Sequence, residues 1–66
     1  MSDWTLDEFL TITEALSLRW VDDTFTPSND HEGYLCEFLE DMGLATTANL
    51  NLYVLNDEGI AFRNNL

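Results

Sequence analysis

Basic residues are nearly missing from this chain of 66 residues. It has two arginines, no lysine and one histidine against 13 aspartates and glutamates, a formal charge of −11. A surface so poor in cations repels phosphate backbones and anionic lipid, which argues against direct binding of nucleic acid or membranes. Cysteine occurs once, at Cys36, so no disulfide can form within the chain. Its place in a periodic apolar stretch predicts a buried, inert thiol in a reducing compartment. Long apolar runs are also missing: none approaches the ~18 residues of a membrane span, and Met1-Ser2-Asp3-Trp4 lacks the basic start of a secretory signal. A cytoplasmic protein is expected. The lone histidine opens a zincin-like His31-Glu32 pair, but Leu35 stands where the second histidine must be. The acidic stretch from Asp22 to Glu32 fails as a calcium loop, because Thr24 and Thr26 occupy the next carboxylate positions and the central glycine is absent. With no glycine-rich phosphate loop and no serine or cysteine beside a base, neither catalysis, a bound metal nor a cofactor is expected.

Hydrophobic residues make up 45% of the chain and aromatics 12%, the composition of a folding sequence rather than a disordered acidic tail. Residues 1–66 allow one small acidic domain, burying only about 60% of its unfolded surface. Self-association or a partner could supplement so small a core.

The clearest element lies at Glu32–Leu44. At roughly 100° per residue, Tyr34, Leu35, Phe38, Leu39 and Met42 share one helical face, and Glu37, Glu40 and Asp41 share the other. Gly43 suits the left-handed position after the last turn, with Leu44 returning to pack on Leu39. Upstream, either Thr26 with Pro27 at the first helical position or Asn29 with Glu32 can start this helix, and Gly33 marks a break or a close approach of helix one. A first helix begins with Thr5 and Glu8 as a capping box, and Trp4 and Phe9 are spaced as a hydrophobic staple. Leu6, Phe9, Leu10, Ile12, Thr13, Leu16 and Trp20 form its stripe over about four turns, with Asp7, Thr11, Glu14, Ala15 and Leu18 opposite. Val21–Asp30 reads as a connection anchored by Phe25. Leu50, Leu52 and Val54 alternate with Asn51 and Tyr53, predicting a strand over 50–55 paired with Leu44–Thr47 through a turn at Ala48-Asn49. Asn56 caps a short last helix carrying Ile60 and Phe62. The expected core is Trp4, Phe9, Leu10, Leu16, Trp20, Leu35, Phe38, Leu39, Leu52, Val54 and Phe62.

Leu39-Glu-Asp-Met-Gly-Leu44 and Tyr53-Val-Leu-Asn-Asp-Glu-Gly59 resemble the helix end and the wing-to-helix return of winged-helix domains, over about residues 34–62. The resemblance implies an α+β, winged-helix-like domain: two main helices, a short β-hairpin and a short C-terminal helix. It does not carry DNA binding with it, because Glu37, Glu40 and Asp41 stand where DNA readers place Arg and Lys.

Several acids occupy positions that stability alone would not choose. Glu40 and Asp41 sit in a last helical turn and Asp22 and Asp23 follow the first helix, where the macrodipole favours cations by roughly 0.3–1 kcal/mol each. Carboxylates three or four residues apart lie about 5–6 Å from each other on a helix, near the phosphate spacing of a nucleic-acid strand. Glu37, Glu40 and Asp41 make one row; Asp7 and Glu14 make a sparser one, extended by Asp22 and Asp23. The arrangement resembles that of small virus-encoded DNA-mimic inhibitors, which block restriction enzymes, CRISPR effectors, nucleoid proteins or polymerases. The expectation is a non-enzymatic inhibitor of a basic nucleic-acid-binding protein, acting in the host cytoplasm if viral. Two alternatives stay open: a winged-helix-like interaction or homodimerisation module using Leu18, Trp20, Tyr53 or Phe62, and an antitoxin-like cap for a basic partner.

Overall fold

A computed structural model describes residues 4–49 and 51–66. The protein is a small α+β domain of three helices and a three-stranded antiparallel sheet: α1 (Leu6–Leu16), β1 (Thr24–Phe25), α2 (Asp30–Asp41), β2 (Ala45–Thr47), β3 (Tyr53–Leu55) and α3 (Asp57–Asn64). Helix, helix, hairpin and closing helix follow one another as the sequence predicts, with β1 added. The sheet order is β1-β3-β2, so the hairpin strand β3 is central.

Local signals set the helix ends. Thr5 Oγ1 accepts from the Glu8 N–H at 3.1 Å and Glu8 accepts from the Thr5 N–H at 2.9 Å, the expected capping box. Helix α1 stops at Leu16, a turn earlier than expected; Trp20 lies beyond it and its Nε1 donates at 2.9 Å to the Ala15 carbonyl, which also accepts from the Leu18 N–H at 3.2 Å. Of the two possible starts for α2 the second is used: Asn29 accepts from the Glu32 N–H at 2.8 Å. Glu32 turns back to Ser28, accepting from its N–H and its hydroxyl, both at 2.8 Å. Those two bonds, the backbone one first, hold the Glu32 carboxyl below its ordinary pKa. At the other end Gly43 has φ 78°, the Leu44 N–H donates to the Leu39 carbonyl at 2.9 Å and the Gly43 N–H to the Glu40 carbonyl at 3.0 Å, a Schellman stop. Gly33 is unbroken helix with open space where a Cβ would point, so no close approach occurs there.

The connection after α1 contains a strand that periodicity did not reveal. Val21 and Thr24 exchange both backbone hydrogen bonds at 2.9 Å around Asp22 and Asp23, whose φ values are 53° and 64°. Positive φ at both central residues is the two-residue turn whose twist matches flanking strands. It delivers Thr24 and Phe25 opposite Val54 and Tyr53. On the other side Ala45, Thr46 and Thr47 pair with Leu55, Val54 and Tyr53. The link from β2 to β3 runs over 48–52, closed by the Ala48 N–H on the Leu52 carbonyl at 2.8 Å; Leu50, expected in the strand, lies outside the described residues.

Ile12, Ala15, Leu16, Leu35, Cys36, Leu39, Leu44, Ala45, Tyr53 and Leu55 form the buried core. Several expectations are overturned. Tyr53 and Leu55 face inward in β3 and Val54 and Leu52 are half-buried, a one-residue offset that exchanges the two faces. Ala15, placed opposite the stripe, is fully buried, whereas Phe9 and Leu10 are exposed. Trp4, Trp20, Phe38 and Phe62 are half-buried and pack around the core rather than in it. In this small interior the tightest space between α1 and α2 goes to aliphatic side chains, and the large rings close its edges.

Candidate functional site

Helix α2 carries three of the predicted acidic positions. Glu37, Glu40 and Asp41 are all solvent-exposed on the side away from Leu35 and Leu39. Asp30 and Tyr34 join them, and both escaped the sequence reading: Asp30, Glu37 and Asp41 fall within roughly 40° of one line along the helix. Tyr34 is 56% exposed rather than packed, tilted against Phe38 with ring centroids 6.3 Å apart. The i, i+7, i+11 spacing of Asp30, Glu37 and Asp41 was the available signal. Pro27, Asn29, Asp30, Tyr34, Glu37 and Asn51 border a shallow groove beside this line.

The row is anchored to the sheet. Thr47 of β2 donates its hydroxyl to Glu40 at 3.1 Å. Beneath it, the buried phenol of Tyr53 has a pKa above its ordinary value, through burial first and then the negative charge of Glu37, with a hydrogen bond to Thr47 opposing. Glu37 and Glu40 therefore project from a fixed platform of helix and strand, not from a loop.

The remaining predicted residues divide into two further groups. Asp7 and Glu14 lie seven residues apart on α1, both exposed. Glu14 meets His31 Nε2 at 2.9 Å, a bond between α1 and the first turn of α2, so the lone histidine bridges two helices. Asp22 and Asp23 do not extend the α1 row. They occupy the tight turn before β1, well past the end of α1, and so fall outside its C-terminal dipole field. Asp23 pairs with Arg63 of α3 at 2.6 Å, and its carbonyl accepts from the Leu55 N–H at 2.9 Å. Asp23 is thus structural, while Asp22 is exposed at the tip. These two are the only ion pairs among the described residues.

Burial, and secondarily the charge of Glu32, pushes the Cys36 thiol up to about 11, the opposite of an activated nucleophile. Among the described residues no three of His, Cys, Asp and Glu gather as a metal-binding group, and no helix is long and apolar enough to cross a membrane. The apolar side chains expected to offer a docking surface are not the exposed ones: Tyr53 is buried and Leu18, Trp20 and Phe62 are half-buried, whereas Leu6, Phe9 and Leu10 stand out from α1. Compared with known proteins, the chain matches no family model, no curated protein and no solved structure, so a functional reading has to rest on these residues themselves.

Proposed function

We propose that this protein is a non-enzymatic inhibitor that presents the acidic line of α2 to the nucleic-acid-binding groove of a basic protein and keeps the nucleic acid out. The observation that carries the reading is the line itself: Asp30, Glu37 and Asp41 are exposed along one side of α2 with no cation among the described residues paired to any of them. Charge-assisted hydrogen bonds from Arg and Lys of a partner would satisfy them. A formal charge of −11 adds long-range attraction to any basic groove. Asp7, Glu14 and Asp22 extend the acidic field, and Asp23 contributes less because Arg63 neutralises it.

The test is capture of partners from a host lysate at low salt, followed by elution in rising salt. Mimicry predicts a basic nucleic-acid-binding protein that leaves at moderate salt and is displaced by added DNA or RNA. The variant Glu37→Lys/Glu40→Lys/Asp41→Lys should lose that partner while folding at least as well as the parent, since the α2 dipole then meets cations. Retention of the partner by this variant, or a partner indifferent to salt, would refute the proposal.

A further inference from the structure

We infer that the exposed apolar face shared by α1 and α3 is a docking site for an amphipathic helix of another protein, one whose apolar stripe is flanked by lysine or arginine. This goes beyond the acidic-groove reading, because it concerns a different surface. Leu6, Phe9 and Leu10 occupy adjoining positions on the first turns of α1 and are 71%, 42% and 55% exposed. Phe62 of α3 joins them, its ring centroid 5.7 Å from that of Phe9 and 5.4 Å from that of Trp4. Leu66, also half exposed, extends the face past the end of α3. Between the helices, Phe9, Phe62, Asn65 and Leu66 line a shallow cleft of about 220 Å³, larger than the ~150 Å³ cavity that admits a benzene ring. The core does not need these side chains: α1 already buries Ile12, Ala15 and Leu16 on its inner side. Single exposed leucines are ordinary, but a contiguous apolar face with a cleft marks an interaction surface.

Charge identifies the occupant. Asp7 and Glu14 border the face on α1, about 40–60° around the helix from Leu10, and Glu58 lies one turn before Phe62 on α3, exposed. Neither arginine is at this rim: Arg63 pairs with Asp23, and Arg19 lines the cleft beside β1. A second copy of the chain would set this acidic rim against its own kind and bring two charges of −11 together, and an anionic membrane is repelled in the same way. A helix with leucines at i, i+3, i+4 and i+7 and basic flanks fills the cleft and meets the rim with opposite charge.

The probe is a fluorescent peptide of about 14 residues, four helical turns, with leucines at that spacing and lysines elsewhere, titrated by anisotropy at about 150 mM salt. Two controls accompany it: a scrambled peptide of identical composition and a leucine–glutamate peptide of identical spacing. The lysine peptide should bind, the scrambled one at least about tenfold more weakly, and the glutamate peptide not at all. The variant Leu6→Ser/Leu10→Ser, which touches only exposed positions, should lose at least about tenfold in affinity while unfolding cooperatively with a Tm no more than about 8 °C below the parent's. It keeps every carboxylate, so salt-sensitive capture through α2 survives whichever way this test falls. Equal binding of the scrambled peptide, unchanged affinity of the serine variant, or sedimentation as a dimer that the serine variant splits would each overturn the inference, the last by assigning the face to a second copy.

Discussion

Asn56 ties three parts of the fold together, and replacing it with alanine tests the packing described above. Its Oδ1 accepts from the Gly59 N–H at 2.9 Å, capping α3, while its Nδ2 donates to the Gly43 carbonyl at 2.7 Å, where α2 ends. Its main chain is held independently: the Asn56 N–H donates to the Leu44 carbonyl at 3.1 Å and its own carbonyl accepts from the Ile60 N–H at 2.9 Å. Asn56→Ala therefore removes two side-chain bonds and leaves the backbone path intact. Loss of an N-cap costs about 1 kcal/mol, and the bond to Gly43, whose carbonyl can turn to water, about another 1 kcal/mol. The sum of about 2 kcal/mol is large against the roughly 3–10 kcal/mol that a chain of this size has in total. It corresponds to a fall in Tm of about 8–16 °C. Asn56→Asp separates the two contributions: it keeps the cap acceptor and suits the α3 dipole, but it loses the donor and sets a carboxylate oxygen against the Gly43 carbonyl. Urea unfolding followed by tryptophan fluorescence should rank parent, Asn56→Asp and Asn56→Ala in falling stability. An alanine variant within about 0.5 kcal/mol of the parent, the range of an ordinary surface substitution, would refute the reasoning.

Three further outcomes are expected. Gly59 sits where a Cβ would overlap the Leu44 carbonyl oxygen and lie 3.2 Å from Leu55 Cδ2. Gly59→Ala, which helix propensity alone would favour by about 1 kcal/mol, should instead destabilise by about 1–3 kcal/mol; a higher urea midpoint would contradict the close approach. Cys36, with its thiol raised from 9.0 to about 11, holds about a hundredfold less thiolate than an ordinary thiol near neutral pH. Its reaction with a disulfide reagent should follow the rate of unfolding, and a fast native reaction would show the thiol to be accessible. Tyr53 is raised by burial and the Glu37 charge, so the native state retains its proton more tightly than the unfolded state does. That contribution is fully present below the unfolded pKa of about 10 and is lost as pH climbs through the folded value. Tyr53→Phe should flatten the alkaline end of a stability profile measured by denaturant midpoint, and an unchanged slope there would refute the assignment.

The capping signals at most helix ends were legible in the sequence because they act within four residues, although Thr26 and Asn29 competed for the start of α2 and α1 ends a turn before the stripe does. Thr5 with Glu8, Asn29 with Glu32, Gly43 with Leu44 and Asn56 with Gly59 all hydrogen-bond locally or take a backbone conformation that only certain residues favour. Facing was legible only in part. Apolar residues cover more than half the circumference of α1, so periodicity alone cannot say whether Ile12 and Ala15 or Leu6 and Leu10 meet α2. In β3 every residue from Tyr53 to Leu55 is apolar or aromatic, as is Leu52 before it, and the face is decided by pairing with β2 and contact with the helices rather than by pattern. β1 was hidden because two residues carry no period. Its turn was hidden because it uses Asp22 and Asp23 where glycine or asparagine is the recognisable signal. Within the acidic surface, Glu37, Glu40 and Asp41 could be placed from spacing, whereas the Glu14–His31 and Asp23–Arg63 pairs span 17 and 40 residues and depend on the fold.

The acids of this protein separate by what the fold asks of them. Asp7 and Glu8, Asp30 and Glu32, and Asp57 and Glu58 all lie in first turns, where the helix dipole favours negative charge. Glu8 and Glu32 also make capping bonds there, Glu14 is bonded to His31 and Asp23 pairs with Arg63. Stability accounts for each of these, whatever else they do. Glu37, Glu40 and Asp41 have no such account: α2 has no basic residue in its last turn, and like charges at spacings of three and four repel. Glu40 alone is partly compensated, by Thr47. A chain with room for only a thin stability margin keeps two carboxylates, Glu40 and Asp41, where the dipole costs about 0.3–1 kcal/mol each, and a third, Glu37, that repels both. The acids that owe least to folding are therefore the ones at the far end of α2, and within that group Glu37 and Asp41 have no side-chain hydrogen bond among the described residues. Single reversals at those two positions should weaken a charge-driven complex more than reversal at Asp7 or Asp23, and with less harm to the fold.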